Sequence, residues 1–237
     1  MYSFTSRVRF SEVDAEEKMT LHALVSYFQD CSFFHGADVH MGVNELKESG
    51  RLWLLASWQI IIRRRPKLGE SIRINTWAYG FHGFYGYRNF TLEDAGGNIC
   101  AYANAIFSYL DAAGMHPTRI PEEMADVYGI SPQYPMENAP RKIALPKEST
   151  AADPLTVTAS QTDYYQHMNN TIYIQLAQDY LPDGFEIAQV RAEYRRAAVC
   201  GDRLSPHLSR EENRFYVAFR DEKGGLYAAV EFTGPSD

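Results

Sequence analysis

The chain has 237 residues, 45% of them hydrophobic and 22% charged, with a formal net charge of −7. That is enough chain for two small domains or one large one; no apolar run approaches the ~20 residues of a membrane span, and the acidic balance argues against general nucleic-acid binding. Three widely separated cysteines, Cys31, Cys100 and Cys200, argue against a disulfide framework or a zinc site and fit a reducing cytoplasm, and the opening "MYSFTSRVRF" lacks the apolar core of a signal peptide.

From the N-terminus, "YSFTSRVRF" alternates and predicts a strand. Thr20 is a cap residue ahead of Leu21, Leu24, Val25 and Phe28, whose i, i+3, i+4, i+7 spacing predicts a helix running to about Gly36. Four strand-like runs follow: "WLLASWQIII", "SIRINTWAYG", "YGYRNFTLED" and "NICAYANAIFSYLD", the last two joined by a turn at "DAGGN". Seven of the eleven prolines then fall between about residues 114 and 155, which reads as a long linker holding a short helix at "PEEMADVYG". Beyond it the order starts again. "PLTVTAS" predicts a strand, and Asn169 or Asn170 caps a helix with Ile172, Leu176 and Tyr180 on one stripe. Strands are expected at "IAQVRAEYRRA", "DRLSPHLS", "RFYVAFRDE" and "GLYAAVEFT".

The recurrence extends to single residues. "SEVDAEEKMTLHALVSYFQD" at 11–30 and "SQTDYYQHMNNTIYIQLAQD" at 160–179 align without a gap, at a constant offset of 149 that pairs Asp14 with Asp163, Lys18 with His167 and Asp30 with Asp179. "PKLGESI" answers "AVCGDRL", and "DAGG" answers the turn "DEKGG". Each half thus reads strand, helix, then about four antiparallel strands. The expected fold class is α+β, a double hotdog: two curled antiparallel sheets, each wrapped around a central helix, paired as an internal pseudo-dimer that hides two sheet edges. The expected division is a first hotdog over 1–125, a linker over 126–154 and a second hotdog over 155–237, in a monomer or a homodimer.

At "DYYQHMNN" and "RIPEEM" the chain resembles the acyl-ACP thioesterases of plants and bacteria. The resemblance covers nearly the whole length. It includes Trp53 and Leu55, "RRRPKLGE", Thr76–Trp77, "RNF" from Arg88 and "TRIPEEM" at 118–124; then Asp163, "QHMNN" at 166–170, "YI" at 173–174 and "EYRR" at 193–196. It implies hydrolysis of the thioester that links a fatty acyl chain to acyl carrier protein, without cofactor or metal. It also implies that the first hotdog holds the chain, with Trp53 among the groups that contact it, while the second supplies catalysis. In the family pattern an aspartate, an asparagine two residues on and a histidine two further on precede paired asparagines, and a glutamate directly follows "YRR". Asp163 and His167 match, but Tyr165 stands at the asparagine position and Ala197 at the glutamate position. These departures keep the nucleophile and the histidine and remove the family's usual means of orienting water.

Thioester hydrolysis needs a nucleophile or base and an oxyanion site. Asp163, just ahead of a helix start, could attack the carbonyl or take a proton from water, and His167 could pass a proton or hold the carbonyl region. Helix-start amides near Asn169 and Asn170 could bind the developing oxyanion, Asn170 from the substrate side, and Asn169 is equally fit to be a plain cap. Tyr165 could lend its hydroxyl or only shape the site. Glu193 lies about 13 Å along its strand from position 197, at ~3.3 Å per residue, and cannot stand in for the glutamate. Lys18 occupies the histidine position of the first copy, and a lysine there cannot accept a proton near pH 7 unless strongly perturbed. The first half therefore reads as retired from chemistry, its Tyr27, Phe28, Phe33, Phe34, Trp53, Trp58 and Trp77 forming core and the lining of an acyl tunnel. Acyl carrier protein is acidic, so docking requires a local basic patch. Candidates are Arg63, Arg64 and Arg65 with Lys67, Arg63 and Arg65 sharing one strand face, or Arg195 and Arg196. An acyl-CoA thioesterase and a catalytically degenerate acyl-ACP-binding protein remain as alternatives.

Overall fold

The structure is a computed structural model and describes residues 1–235. Its contacts divide into two compact units, residues 1–56 with 60–139, and residues 57–59 with those from 140 onward.

In the first unit, the alternation of "YSFTSR" builds strand β1 (Tyr2–Arg7). Thr20 Oγ1 accepts the Ala23 N–H at 3.1 Å and starts helix α1 (Leu21–Asp38), whose Leu21, Leu24, Val25 and Phe28 are all buried as their spacing requires. Helix α2 (Val43–Glu48) follows, too short to leave a periodic signal. Strands β2 (Arg51–Ile62), β3 (Ser71–His82), β4 (Tyr85–Asp94) and β5 (Ile99–Asp111) come next. A short β6 (His116–Pro117) returns against β5, and helix α3 (Met124–Tyr128) falls inside "PEEMADVYG". The strand order is β1-β3-β4-β5-β2. Register shifts at Ala78/Gly80 and Leu92/Glu93 bend these strands, and α1 packs against β3 and β1. Leu24, Val25 and Phe28 are fully shielded from water, each contributing roughly 1.5–3 kcal/mol.

The second unit repeats the plan in fewer residues. Strands β7 (Thr150–Ala151) and β8 (Leu155–Thr156) precede helix α4 (Asn170–Gln178). Strands β9 (Gln189–Tyr194), β10 (Arg203–Glu211), β11 (Arg214–Arg220) and β12 (Leu226–Thr233) follow, in the order β9-β12-β11-β10, with β7 and β8 both on β10. Two expectations need correction. "PLTVTAS" is a strand only at Leu155–Thr156, because a 3₁₀ turn at Ala159–Gln161 takes over. The stripe of Ile172, Leu176 and Tyr180 is only half-buried; the buried side of α4 is Thr171, Tyr173, Ile174 and Ala177. The helix ends at Gln178, so a stripe counted to Tyr180 runs past its end. The Tyr173 ring sets the face instead, packing on Tyr194 and Phe219 at 5.9 and 5.6 Å.

The proline-rich stretch is tied down within each unit. Ser131 N–H donates to Ala78 O, Trp77 Nε1 to Pro132 O and Tyr134 N–H to Asn89 Oδ1, at 3.0, 2.8 and 2.9 Å. On the second unit, Arg191 Nη2 donates to Pro140 O and Lys142 O, and Ile143 N–H to Glu193 Oε2, at 2.6, 3.2 and 2.8 Å. Prolines leave a strap of this kind little regular backbone pairing, and in five of these six bonds its N–H or C=O is met by a sheet side chain. Among the described residues no helix is long and apolar enough to cross a membrane.

Candidate active site

The segment between β8 and α4 is organised by Asp163. Its Oδ1 accepts the Tyr165 N–H at 2.8 Å, its own N–H donates to His167 O at 2.8 Å and its carbonyl accepts the Gln166 N–H at 3.0 Å. This is an Asx turn closed by backbone bonds. Gln166, at φ 61°, completes the reversal in the left-handed region, a costly place for a residue with a Cβ that the surrounding bonds must offset. Met168, 2% exposed, anchors the loop in the core, and its N–H meets Ala198 O at 2.7 Å. Asn169 then caps α4, its Oδ1 accepting the N–H and the hydroxyl of Thr171, each at 3.0 Å. Ala198 N–H donates to Tyr173 Oη at 3.3 Å, and His167 pairs with Val199, so residues 197–199 are stitched to both loop and helix.

The first unit contains the same turn, with the Lys18 N–H as an additional donor to Asp14 Oδ1 at 3.1 Å. Asp14 Oδ1 accepts the Glu16 N–H at 3.0 Å, Asp14 N–H donates to Lys18 O at 2.9 Å, and Glu17 N–H donates to Asp14 O at 3.0 Å. Glu17 also has φ 61°. Met19 N–H meets Pro66 O at 2.7 Å, so Pro66 answers Ala198 and Arg65 answers Ala197. The side chains differ. Arg65 Nη1 binds Asp14 Oδ2 at 2.6 Å, and Lys18 Nζ binds Glu16 Oε2 at 2.7 Å. The second unit has Ala197, Tyr165 and His167 at the positions of Arg65, Glu16 and Lys18. Both ion pairs are gone. Among the described residues Asp163 Oδ2, the Tyr165 hydroxyl and the His167 ring have no hydrogen-bond partner.

The electrostatics diverge accordingly. Burial alone would raise the Asp14 pKa, but the Arg65 guanidinium and the Lys18 and Glu16 amides outweigh it and hold the carboxyl below its ordinary range. The Tyr165 phenol is pushed up, first by burial, then by the charge of Asp163 and by Tyr164. It therefore stays protonated at neutral pH and can only be a donor or a neutral acceptor.

Asp163, Tyr165, His167, Asn169 and Asn170 thus share one loop and the first turn of α4, all half-buried. Asn169 has its carboxamide oxygen committed to the cap, while the Asn170 carbonyl accepts the Tyr194 hydroxyl at 2.9 Å. Glu193 is 1% exposed and holds Ile143 N–H and Arg195 Nε, both at 2.8 Å, so its carboxylate is a tie for the strap.

Trp53 and the arginine triplet lie in the first unit. Trp53 is half-buried, with ring contacts to Tyr109 at 4.7 Å and Phe81 at 6.2 Å, against the buried group of Leu46, Ala78, Ile120, Met124 and Tyr128. The triplet does not alternate across a strand as expected. β2 ends at Ile62, and the N–H groups of both Arg63 and Arg64 donate to Cys100 O, at 2.9 and 3.0 Å. Arg64 is paired with Glu70 and Asp94, and Arg65 with Asp14. Arg63 is the one of the three without an ion pair among the described residues; it is exposed, its guanidinium 5.2 Å from the Tyr102 ring centre. Arg195 and Arg196 are paired with Glu193 and Asp221.

One polar cluster escaped the sequence reading. Arg88, 8% exposed, lies against His35 Nδ1 and 5.4 Å from the Tyr128 ring centre. Burial pushes the Arg88 pKa down to about 10; burial and then the Arg88 charge push His35 down to about 4, so His35 is neutral and accepts from the guanidinium. Its signal was in the helical spacing, since His35 continues the stripe of Leu21, Leu24 and Phe28 into the core.

Residues 1–128 match the family model of the acyl-ACP thioesterase N-terminal domain, and residues 145–232 that of the acyl-ACP thioesterase C-terminal domain. Over 94% of its length the chain is 24% identical to the chloroplastic palmitoyl-acyl carrier protein thioesterase of Cuphea hookeriana, 55% of which it covers. The chain spans about half the length of the curated relatives it matches. Among solved structures it is similar to an acyl-ACP thioesterase from Bacteroides thetaiotaomicron, with a TM-score of 0.89 and 21% identity over 98% of this chain and 97% of that one. The 12:0-ACP thioesterase from Umbellularia californica gives a TM-score of 0.86 and 18% identity, over 100% and 97%. At these identities the likeness establishes the fold, the α+β double hotdog expected from the sequence.

Proposed function

The chain belongs to the acyl-ACP thioesterase family, and from that premise we propose that it hydrolyses the thioester of fatty acyl-ACP, releasing free fatty acid and acyl carrier protein, in fatty acid biosynthesis in a reducing cytoplasm. The observation that carries this reading is the contrast between two matching loops. Asp14 has Arg65 on its second oxygen; Asp163, in the same turn, has Ala197 at that position, an open Oδ2, and His167 four residues on.

Asp163 Oδ1 is pinned to the Tyr165 amide, so the carboxylate cannot swing freely toward a substrate. A water molecule bridges that distance, and general base catalysis follows. Oδ2 takes a proton from water as the water oxygen bonds to the thioester carbon, and the C=O electron pair moves onto oxygen. The tetrahedral adduct collapses, the C–S bond breaks, and His167 relays the proton from Asp163 to the departing thiolate. Water is thereby divided between fatty acid and thiol. The first unit, with both of its charged pairs closed, holds the acyl chain around the aromatic group of Trp53, Phe81 and Tyr109. Each buried methylene contributes about 0.8 kcal/mol to that hold.

The test is release of free fatty acid from a panel of acyl-ACPs by the purified chain and by Asp163→Asn. The wild type should turn over and the variant should lose at least ~10²-fold in kcat. Equal rates would reject the assignment of Asp163. Comparing kcat/KM on matched CoA and carrier-protein thioesters separates the two enzyme readings, because a carrier protein adds a docking surface that CoA lacks.

A further inference from the structure

We propose that the Tyr165 hydroxyl is the hydrogen-bond donor that receives the oxyanion formed from the thioester carbonyl; this rests on the hydrolase reading above. Three observations converge on it. First, Tyr165 and its neighbour Tyr164 are treated differently by the fold. Tyr164 is 62% exposed, whereas the Tyr165 ring is half-buried and meets the Tyr164 ring edge-on at 5.4 Å. Second, the Tyr165 hydroxyl has no partner among the described residues. The hydroxyl is open to water and committed to no protein group, so its donor is available to a ligand.

Third, the duplicated loop fixes the direction of the side chain. The two loops share every backbone bond around their aspartates, and in the first unit the side chain at position 16 reaches the side chain at position 18, Glu16 Oε2 to Lys18 Nζ at 2.7 Å. Their counterparts at the same two positions of the shared turn are Tyr165 and His167. The same comparison aims position 197 at the aspartate, because Arg65 there reaches Asp14 Oδ2 at 2.6 Å. With alanine at 197, no guanidinium closes on Asp163 Oδ2, and Tyr165 and His167 lie two and four residues on in the same turn. Burial and the neighbouring carboxylate keep the phenol protonated, so it remains a donor throughout the neutral range.

The step is balanced without any further reagent. As the water oxygen bonds to carbon, the C=O electron pair becomes a lone pair on oxygen, and the Tyr165 O–H shortens its bond to that oxygen without transferring its proton. The pair returns to carbon as the C–S bond breaks. A donor aimed where charge develops lowers the barrier, and removal of one such donor is worth about 10²–10³ in kcat where it has been measured.

The experiment compares wild type, Tyr165→Phe and Tyr165→Asn on one acyl-ACP, with kcat and KM measured separately. Phenylalanine keeps the ring and deletes only the donor. It should lower kcat by about 10²-fold and change KM little. Asparagine removes the ring but restores an N–H donor, and should recover most of the loss. Tyr165→Phe at wild-type kcat overturns the proposal while leaving the hydrolase reading intact. Loss in both variants to the same degree also overturns it, since shape and not donation would then be what Tyr165 supplies. A wild type inert on every acyl-ACP removes the hydrolase reading and this one with it.

Discussion

The two loops of this chain are a comparison that the molecule makes for itself. Residues 13–19 and 162–168 share the Asx turn, the left-handed fourth residue and the buried methionine, so the aspartates at 14 and 163 are kept in the first place by the turn. What separates the units is the company each aspartate keeps. Asp14 is neutralised by Arg65 and flanked by the Glu16–Lys18 pair, while Asp163 has Ala197, Tyr165 and His167. A carboxylate in a turn is therefore not by itself a sign of catalysis. The sharpest way to break the comparison is to remove each aspartate in turn. Asp163→Asn should cost at least ~10²-fold in kcat. Asp14→Asn should leave kcat within about threefold of wild type and act on stability instead, because it opens a surface ion pair. If the two variants lost activity equally, the division of labour would fail.

The next largest effect is expected from making the second loop resemble the first. Ala197 is exposed and can accept a longer side chain without displacing core. In Ala197→Arg the guanidinium should close on Asp163 Oδ2 as Arg65 does on Asp14. We expect kcat to fall by about 10²-fold, since a carboxylate held by arginine is a poorer base, its pKa pulled down. Acyl-ACP should still bind and the melting temperature should hold or rise. Turnover and calorimetric binding measured on the same preparation check this. Turnover at the wild-type rate would show that the side-chain correspondence stops at the backbone.

Much of this was legible before any coordinates. The α1 stripe, the strands flanking "DAGGN", and the repeated strand–helix–strand order follow from period and turn chemistry alone. The α4 stripe did not, because a nine-residue helix offers too few turns for periodicity to choose between neighbouring faces, and Thr171 and Ala177 are too small to register as apolar markers. The arginine triplet misled for a related reason. "RRR" reads as a cationic patch, yet Arg64 and Arg65 are held by Glu70, Asp94 and Asp14, residues 6 to 51 positions away that no local pattern connects. Asp163 and His167 stand out in the sequence through the repeat and the resemblance. The reason position 197 matters does not, since it rests on which residue faces Asp14 across a bridge between distant segments.

The first unit should also carry a pH dependence set by His35. His35 faces Arg88, the Tyr2 ring at 5.8 Å, the Tyr128 ring at 5.5 Å and the N-terminal charge. Its folded pKa is about 4 against an ordinary 6.5. Between those values the unfolded chain binds a proton that the folded chain refuses. Stability contributed by neutral His35 is thus full above about pH 6.5 and is lost as pH falls toward 4. Melting temperatures across that window should decline for wild type and decline less for His35→Gln, which keeps an acceptor for Arg88 without the titration. Identical slopes would mean that other groups set the acid response.

The smallest effect is expected at Arg65 itself. The Arg65 and Asp14 side chains are 29% and 32% exposed, so their ion pair is screened, and Arg65→Ala should cost only about 0.5–1 kcal/mol at neutral pH. The sign against pH is fixed by the depressed carboxyl of Asp14. Its contribution is present above the ordinary carboxylate value of 3.8 and disappears as pH falls through the lower folded value. Denaturant titrations of wild type and Arg65→Ala should therefore differ at neutral pH and converge in strong acid. On the proposed division of labour turnover should not change, because Arg65 binds Asp14 and not Asp163. A change in kcat at this position comparable to that of Ala197→Arg would mean that the retired loop still governs the working one, and the reading of Arg65 as a purely local lock would have to be given up.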